Sequence, residues 1–349
     1  MDGCSIAIIG ATGAVGSVFL RLLEERNFPA RNIRLCASER SWGKKMKVSG
    51  RQLIVEPATP QLFQETDVVF VSAGSDTSRD ITPIAVDQGA VVIDNSSAFR
   101  AEPDVPLVVP EINGEDLTQH TGIVAVPNCS TAPLVMVLNP LNHMTPIQRV
   151  IASTYQSVSG TGTAAMEELR SQVQVGSAGT VSAPTVYPHQ IAFNVIPHVE
   201  SFQKNGYTSE EMKMVNETRK ILHLPDLRVS ATCVRVPVMV GHSEAVNIEF
   251  NEPVDLQKVR EVLSAAPGIK VVDDPLRNSY PMPLDAEGID DVLVGRIRQD
   301  TSNPNGVVLW IASDNLRKGA ALNAIQIAEQ LLSRNLLGKL TGRLQSDAS

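Results

Sequence analysis

Ser5-Ile6-Ala7-Ile8-Ile9-Gly10-Ala11-Thr12-Gly13-Ala14-Val15-Gly16 opens the chain with an apolar run, a glycine-rich turn and the start of a helical pattern. Its periodicity predicts a strand to Ile9 and a helix from about Ser17 to Glu25. Val18, Phe19, Leu22 and Leu23 then share one helix face. Strand, glycine turn and helix form the setting in which free N–H groups at a helix N-terminus face a phosphate. The spacing G-x-x-G-x-x-G is a variant of the dinucleotide fingerprint, with Gly10 and Gly13 in the turn. A tight turn built only for packing uses the same small residues.

Working outward, the alternation repeats. Ile33–Ala37, Asp67–Gly74, Val91–Ser96, Val108–Asn113 and Ile123–Val126 read as strands, and Ser78–Gln88 as a helix. Strands alternating with helices imply an α/β fold with a parallel, doubly wound sheet, whose ligands bind beyond the strands' C-terminal ends. At the end of the second strand an NAD site usually places an acidic residue for the ribose hydroxyls. Here Ser38-Glu39-Arg40-Ser41 offers Ser38, Arg40 and Ser41 to a 2′-phosphate, which favours NADP. A solvated loop is the plain alternative.

The 349 residues suit two domains, with 43% hydrophobic and 19% charged residues. A net charge of −8 and 4% aromatic residues leave no footprint for nucleic acid. Met1–Ile9 runs straight into a strand without the segments of a secretory leader, and no run of about 18 apolar residues exists. A cytoplasmic protein is expected, neither membrane-bound nor nucleic-acid-binding. Cys4, Cys36, Cys129 and Cys233 form no C-x-x-C pair and no zinc-ligand spacing, so no metal is expected. Cys4, Cys36 and Cys233 lie in or beside apolar runs and read as reduced core thiols.

Cys129 differs. It stands in Pro127-Asn128-Cys129-Ser130-Thr131, between the strand-like Ile123–Val126 and a helical run from Pro133 to Leu138. A thiol near a helix N-terminus is biased toward thiolate, and the same N–H groups favour an oxyanion. Ser130 or Thr131 is expected to cap that helix. An inert buried cysteine is the competing reading.

The second half has a different pattern. Val150–Val158 reads as a strand leading into Ser159-Gly160-Thr161-Gly162, and a helix is expected near Ala164–Val175. Residues 176–206 look loop-rich. Thr208-Ser209-Glu210-Glu211 is a capping box opening a helix on which Glu210 and Lys213 share a face. Val229–Val236 and Ser243–Phe250 alternate as strands. Arg235 and His242 stand out there, though a surface arginine and a structural histidine would look the same. Asn315–Leu332 reads as a helix able to return to the first domain, and Gln345–Ser349 as a disordered tail.

Together GATGAVG (10–16), PNCSTAP (127–133), TYQSVSGTG (154–162), IAFNVIPH (191–198) and RVPVMVGHSEAVNIE (235–249) resemble the aspartate-β-semialdehyde dehydrogenase family. The resemblance runs in order from about residue 5 to residue 332. It implies a glyceraldehyde-phosphate-dehydrogenase-like architecture. Residues 1–128 would form a Rossmann-type NADP-binding domain completed by a helix at about 315–349. Residues 129–314 would form an α+β catalytic and dimerisation domain. The implied reaction is NADPH-dependent reductive dephosphorylation of β-aspartyl phosphate to aspartate β-semialdehyde. It serves biosynthesis of lysine, diaminopimelate, threonine, methionine and isoleucine.

By the same resemblance Cys129 is the acylated nucleophile, His242 its acid/base partner, and Gln156 the residue that orients the acyl group. Arg235 grips the α-carboxylate and Glu210 lies near the α-amine. Arg100 and Lys213 bind phosphate, and Asn128 joins the substrate set. Thr12, Gly13, Ala14, Val15, Arg40, Ser41, Ser159, Gly160 and Asn315 contact NADP. A homodimer or a homotetramer is implied. Thr161 and Thr163 depart from the smaller or different residues more usual in that turn, and the Trp42 loop is also unusual.

The chemistry suits these residue types. Holding an acyl group as a thioester requires a thiolate and an imidazole to manage protons. A guanidinium takes a carboxylate through two parallel hydrogen bonds. Other readings are an N-acetyl-glutamyl-phosphate reductase, whose cysteine has a different setting, an acyl-CoA reductase, and a non-catalytic paralogue. A short-chain reductase needs Tyr-x-x-x-Lys, which neither Tyr155 nor Tyr187 provides.

Overall fold

The computed structural model describes residues 3–176 and 183–337. The chain forms two units: one runs to Pro127 and resumes at Ala320, and the other is Asn128–Gly319.

The first unit holds β1 (Cys4–Ile9), α1 (Ala14–Glu25), β2 (Ala30–Cys36), β3 (Lys45–Val48), β4 (Arg51–Glu56), α2 (Pro60–Phe63), β5 (Val68–Val71), α3 (Ser75–Asp87), β6 (Val91–Asp94), α4 (Pro110–Asn113) and β7 (Ile123–Ala125). The sheet order is β3-β4-β2-β1-β5-β6-β7. All pairings are parallel except the β3–β4 hairpin. Every residue of β1, β5 and β6 is buried, as strands covered on both faces must be. That is why they appear in the sequence as unbroken apolar runs.

Two local expectations are corrected, and one element is new. The first helix begins at Ala14 rather than Ser17, with Gly13 at its N-cap. Val108–Asn113 is not a strand: Leu107 alone bridges to Ala125, and Pro110 starts a helical turn. Asn113 secures that turn, accepting from Val109 N at 2.9 Å and donating to Leu107 O at 2.8 Å. The β3–β4 hairpin was not anticipated. It turns on Ser49 and Gly50, both at positive φ, as a two-residue hairpin turn requires.

The second unit holds α5 (Thr131–Met144), β8 (Ile147–Gln156), α6 (Thr163–Gly176), α7 (Ser209–Ile221), β9 (Arg228–Arg235), β10 (His242–Phe250), α8 (Leu256–Ala265), β11 (Ile269–Val271), α9 (Pro283–Ala286), β12 (Val292–Gln299) and β13 (Gly306–Ser313). Its sheet order is β11-β12-β13-β10-β8-β9, mostly antiparallel, with β8–β9 and β11–β12 parallel. On β8, Val150, Ala152, Thr154 and Gln156 are buried while Arg149, Ile151, Ser153 and Tyr155 are not. On β10 His242 and Ser243 are both buried, and from Glu244 onward the same alternation buries Glu244, Val246, Ile248 and Phe250. Side chains alternate faces along a strand, so one face of the sheet is covered and the other is open. The predicted capping box of α7 is present, with Thr208 and Glu211 each bonding the other's backbone N–H.

The chain then returns to the first unit as α10 (Leu322–Ser333). This helix packs on α1 and α4. Glu329 binds Arg26 bidentately at 2.9 and 2.7 Å, and Asn323 donates to Val108 O at 2.8 Å. Regular helix starts only at Leu322, after a wider turn over Arg317–Ala321, so Asn315 lies in a loop rather than in the predicted helix. The expected tail at Gln345–Ser349 lies outside the described residues.

Candidate active site

The ends of three adjacent strands in the second unit bring a set of polar side chains to one face. Gln156, last on β8, is in register with Arg235, last on β9. Ser243 pairs with Tyr155, which sets His242, first on β10, beside Gln156. All three are nearly inaccessible.

Cys129 meets this row from the N-terminus of α5. Its sulfur lies 3.3 Å from His242 Nε2. The other ring nitrogen, Nδ1, accepts the backbone N–H of Ser157 at 3.0 Å. An amide N–H can only donate, so Nδ1 carries no proton and the neutral ring holds its hydrogen on Nε2, aimed at the sulfur. Burial and the nearby Arg235 guanidinium push the His242 pKa down to about 3, against an opposing pull from Glu210. The imidazole is therefore neutral at physiological pH, with Nε2–H poised to donate to sulfur or to an oxygen formed there.

The expected hydroxyl cap of α5 is absent. Ser130 has helical φ and ψ, whereas a capping side chain needs an extended N-cap residue. Neither its hydroxyl nor that of Thr131 has a partner. Asn128 takes that place, its Oδ1 accepting Ser130 N at 2.9 Å.

Glu210 is the centre of a second group. Its Oε1 accepts from Asn128 Nδ2 and Gln156 Nε2, both at 2.9 Å, and its Oε2 lies 3.3 Å from Lys213 Nζ. Burial raises its pKa, but Lys213, the two amide donors and Arg235 outweigh this and hold it below the usual range. The carboxylate is thus charged and anchored. Lys213 also binds Glu200. Thr154 supports Gln156 from below, its hydroxyl donating to Gln156 Oε1 at 3.0 Å.

Arg235 donates from Nη1 to Ser157 O at 2.7 Å, while its buried Nε meets no protein acceptor. An arginine edge left open in this way matches a planar anion. Gly160 keeps the space clear: a Cβ there would lie 3.2 Å from Arg235 Nη1 and 3.3 Å from His242 Nε2. Asn315 ties the surrounding loops together, accepting from Gly241 N at 2.9 Å and donating to Ser159 Oγ at 2.9 Å. Asn315 and Ser159 therefore serve this scaffold with their side chains.

The first unit carries the other predicted residues. Gly10 has φ +85°, and a Cβ on it would stand 2.1 Å from Ser72 O. A Cβ on Gly16 would meet Gly10 O at 2.4 Å, so only glycine fits at either place. Gly13, Ala14 and Val15 form an α1 N-terminus with no capping side chain and no acid in its first turn. Its free donors fit a pyrophosphate. Thr12 Oγ1 donates to Ser41 Oγ at 3.2 Å, joining this turn to the one after β2, where Ser38 and Arg40 are exposed. Arg100 is mostly buried and donates to Asn95 O at 2.7 Å.

Sequence reasoning missed Ser157, Thr154 and Glu217. Glu217 Oε2 accepts Asn128 N at 2.6 Å. Its signal was legible: it lies two helical turns beyond Glu210 on the same face of α7. Ser157 acts through its backbone, which no side-chain pattern reports.

Residues 5–120 match the family model for the semialdehyde dehydrogenase NAD binding domain, and residues 138–318 that for the dimerisation domain. Aspartate-semialdehyde dehydrogenase of Prochlorococcus marinus is 50% identical, over 95% of this chain and 96% of that one. Aspartate semialdehyde dehydrogenase II of Vibrio cholerae, complexed with ASA, superposes with a TM-score of 0.93 at 43% identity, covering 95% of this chain and 99% of that one. The Candida albicans enzyme, with NADP, gives 0.75 at 29% identity, covering 95% and 99%. The fold, the cysteine–histidine pair and these likenesses agree: this chain belongs to the aspartate-semialdehyde dehydrogenase family.

Proposed function

We propose that this enzyme converts β-aspartyl phosphate to aspartate β-semialdehyde through a thioester on Cys129, with NADPH as reductant. The observation that carries the reading is the Cys129 Sγ–His242 Nε2 contact of 3.3 Å, with the imidazole tautomer fixed from behind by Ser157. Cys129 sulfur attacks the acyl carbon, the carbon–oxygen bond to phosphate breaks, and inorganic phosphate leaves. NADPH, when bound, supplies the hydride that reduces the thioester carbonyl. His242 Nε2–H is placed to donate a hydrogen bond to the resulting oxyanion, which re-forms the carbonyl as the carbon–sulfur bond breaks, releasing aldehyde and thiolate.

Arg235 takes the α-carboxylate on its open edge, and Glu210 the α-ammonium. Gln156 orients the acyl group and Asn128 completes the substrate set. Lys213 and Arg100 supply positive charge for phosphate. Gly10 and Thr12–Val15 hold the pyrophosphate. Ser38, Arg40 and Ser41 select the 2′-phosphate, in place of the acid an NAD site would use. Ser159, Gly160 and Asn315 border the nicotinamide. The first unit is the NADP-binding domain and the second the catalytic and dimerisation domain.

The partner is a second copy, docked on the open face of the second sheet. There Tyr155 and Trp310 pack with ring centroids 5.2 Å apart and Tyr155 stays 38% exposed. Four reduced cysteines and the absence of any helix long and apolar enough to cross a membrane among the described residues support a cytoplasmic setting.

Absorbance of reduced nicotinamide tests the reading, using purified protein, aspartate semialdehyde, phosphate and NADP⁺. Phosphate-dependent NADPH formation that disappears in Cys129→Ala is expected. A folded, NADP-binding protein without turnover would overturn it.

A further inference from the structure

Thr161 is one of the residues left unexplained by the family pattern, and the structure gives it a partner. The hydroxyl of Tyr187 donates to Thr161 Oγ1 at 2.9 Å. Burial raises the phenol pKa, so the tyrosine is neutral and able to donate. The Tyr187 ring lies under the guanidinium of Arg235, 6.0 Å from its carbon to the ring centroid.

The segment that presents this ring is held from α6. Glu168, itself buried, accepts Thr185 N at 2.6 Å, Thr185 Oγ1 at 2.7 Å, Val186 N at 2.6 Å and Tyr187 N at 3.4 Å. Four donors on one carboxylate fix the backbone, and the Thr161 bond fixes the ring. Tyr187 also packs against the buried apolar cluster that includes Val158, Leu169 and Ile191.

Arginine is a long side chain, and bidentate capture of a carboxylate demands one orientation of its plane. Arg235 has one anchor at Nη1 and a buried Nε without a protein acceptor. The ring supplies the second constraint, with the guanidinium carbon over its face. We infer that Tyr187, braced by Thr161 and Glu168, is a positioning residue that sets the guanidinium plane of Arg235 and thereby selects for substrates carrying an α-carboxylate. This inference rests on the role proposed above for Arg235.

The test compares kcat/KM for aspartate semialdehyde and for 3-aminopropanal, which is the same aldehyde with hydrogen in place of the carboxylate. A cation over an aromatic face gains about 0.5–2 kcal/mol, equivalent to a roughly twofold to thirtyfold effect. Tyr187→Leu is expected to raise KM for aspartate semialdehyde about tenfold, leave kcat within about twofold, and leave 3-aminopropanal unaffected. The KM values for phosphate and NADP⁺ should stay unchanged. Tyr187→Phe and Thr161→Val, which keep the packing, should each raise that KM about twofold to threefold, with no further rise in the double variant.

Equal losses on both aldehydes, or additive effects of the two mild variants, would reduce Tyr187 to a structural residue and overturn the inference. An active wild type with an unchanged Tyr187→Leu would overturn it alone. A wild type inactive on aspartate semialdehyde would overturn the functional reading as well.

Discussion

Glu217 accepts the backbone N–H of Asn128 at 2.6 Å. Two turns earlier on α7, Glu210 accepts the side chain of the same asparagine. One helix thus grips the residue before the nucleophile by both its backbone and its amide. A buried bond to a charged acceptor contributes about 1.5–3 kcal/mol. Glu217→Ala should lose stability of that order in urea melts and lower kcat at least about tenfold. Glu217→Gln, which keeps an acceptor, should fall between.

His242 makes stability depend on acid. Its folded pKa of about 3 lies below the ordinary 6.5. Below pH 6.5 the unfolded chain takes a proton that the folded one refuses, so stability falls as pH drops toward 3. The slope approaches about 1.4 kcal/mol per pH unit. Urea melts between pH 4 and 7 should show it in the native enzyme, and His242→Gln should be flatter.

Glu244 has the opposite sign. It lies two residues along β10 on the same buried face, and neither carboxyl oxygen has a partner. Burial pushes its pKa well above 4.5. The folded state binds the proton more tightly, so this contribution is full below pH 4.5 and is lost as pH rises. Glu244→Gln should match the native protein near pH 4 and exceed it by about 1–2 kcal/mol at pH 8. Equal melts at both pH values would refute this.

Gly319 approaches the nucleophile closely. A Cβ there would stand 2.9 Å from Cys129 Cβ and 3.1 Å from its carbonyl oxygen. Gly319→Ala should fold, with melting close to native, yet lose at least about tenfold in kcat as Cys129 shifts from His242. Near-native kcat would show that the loop yields without cost.

The open sheet face should respond to charge. Trp310→Arg places a guanidinium beside Tyr155, on a face proposed to meet its copy. Sedimentation should show monomers where the native protein sediments as a dimer. An unchanged mass would move the interface elsewhere.

The first sheet was legible because parallel strands buried on both faces leave continuous apolar runs, as in Val68–Val71 and Val91–Asp94. Val108 and Val109 mimic such a run, and Pro110 was the overlooked signal that a helical turn begins. Cys129 stood out by its place between a strand and a helix, and Arg235 as a charge in an uncharged stretch; their roles, and that of His242, came from the family resemblance. Ser130 was misjudged because capping depends on its own φ and ψ. Tyr187 was hidden by distance: its partners Thr161 and Arg235 lie 26 and 48 positions away, and only the folded loop joins them.

The second unit is inserted between α4–β7 and α10 of the first, and this sets the timing of synthesis. A ribosome delivers the amino-terminal strands early, but the helix that covers α1 and α4 emerges only after the whole of Asn128–Gly319. At about 5–20 residues per second, that delay is on the order of 10–40 s. During it Arg26 has no Glu329, and the apolar surface beneath α10 stays uncovered on the nascent chain. The half of the molecule made first is therefore the half completed last, and it offers chaperones a surface for most of the time the messenger is being read.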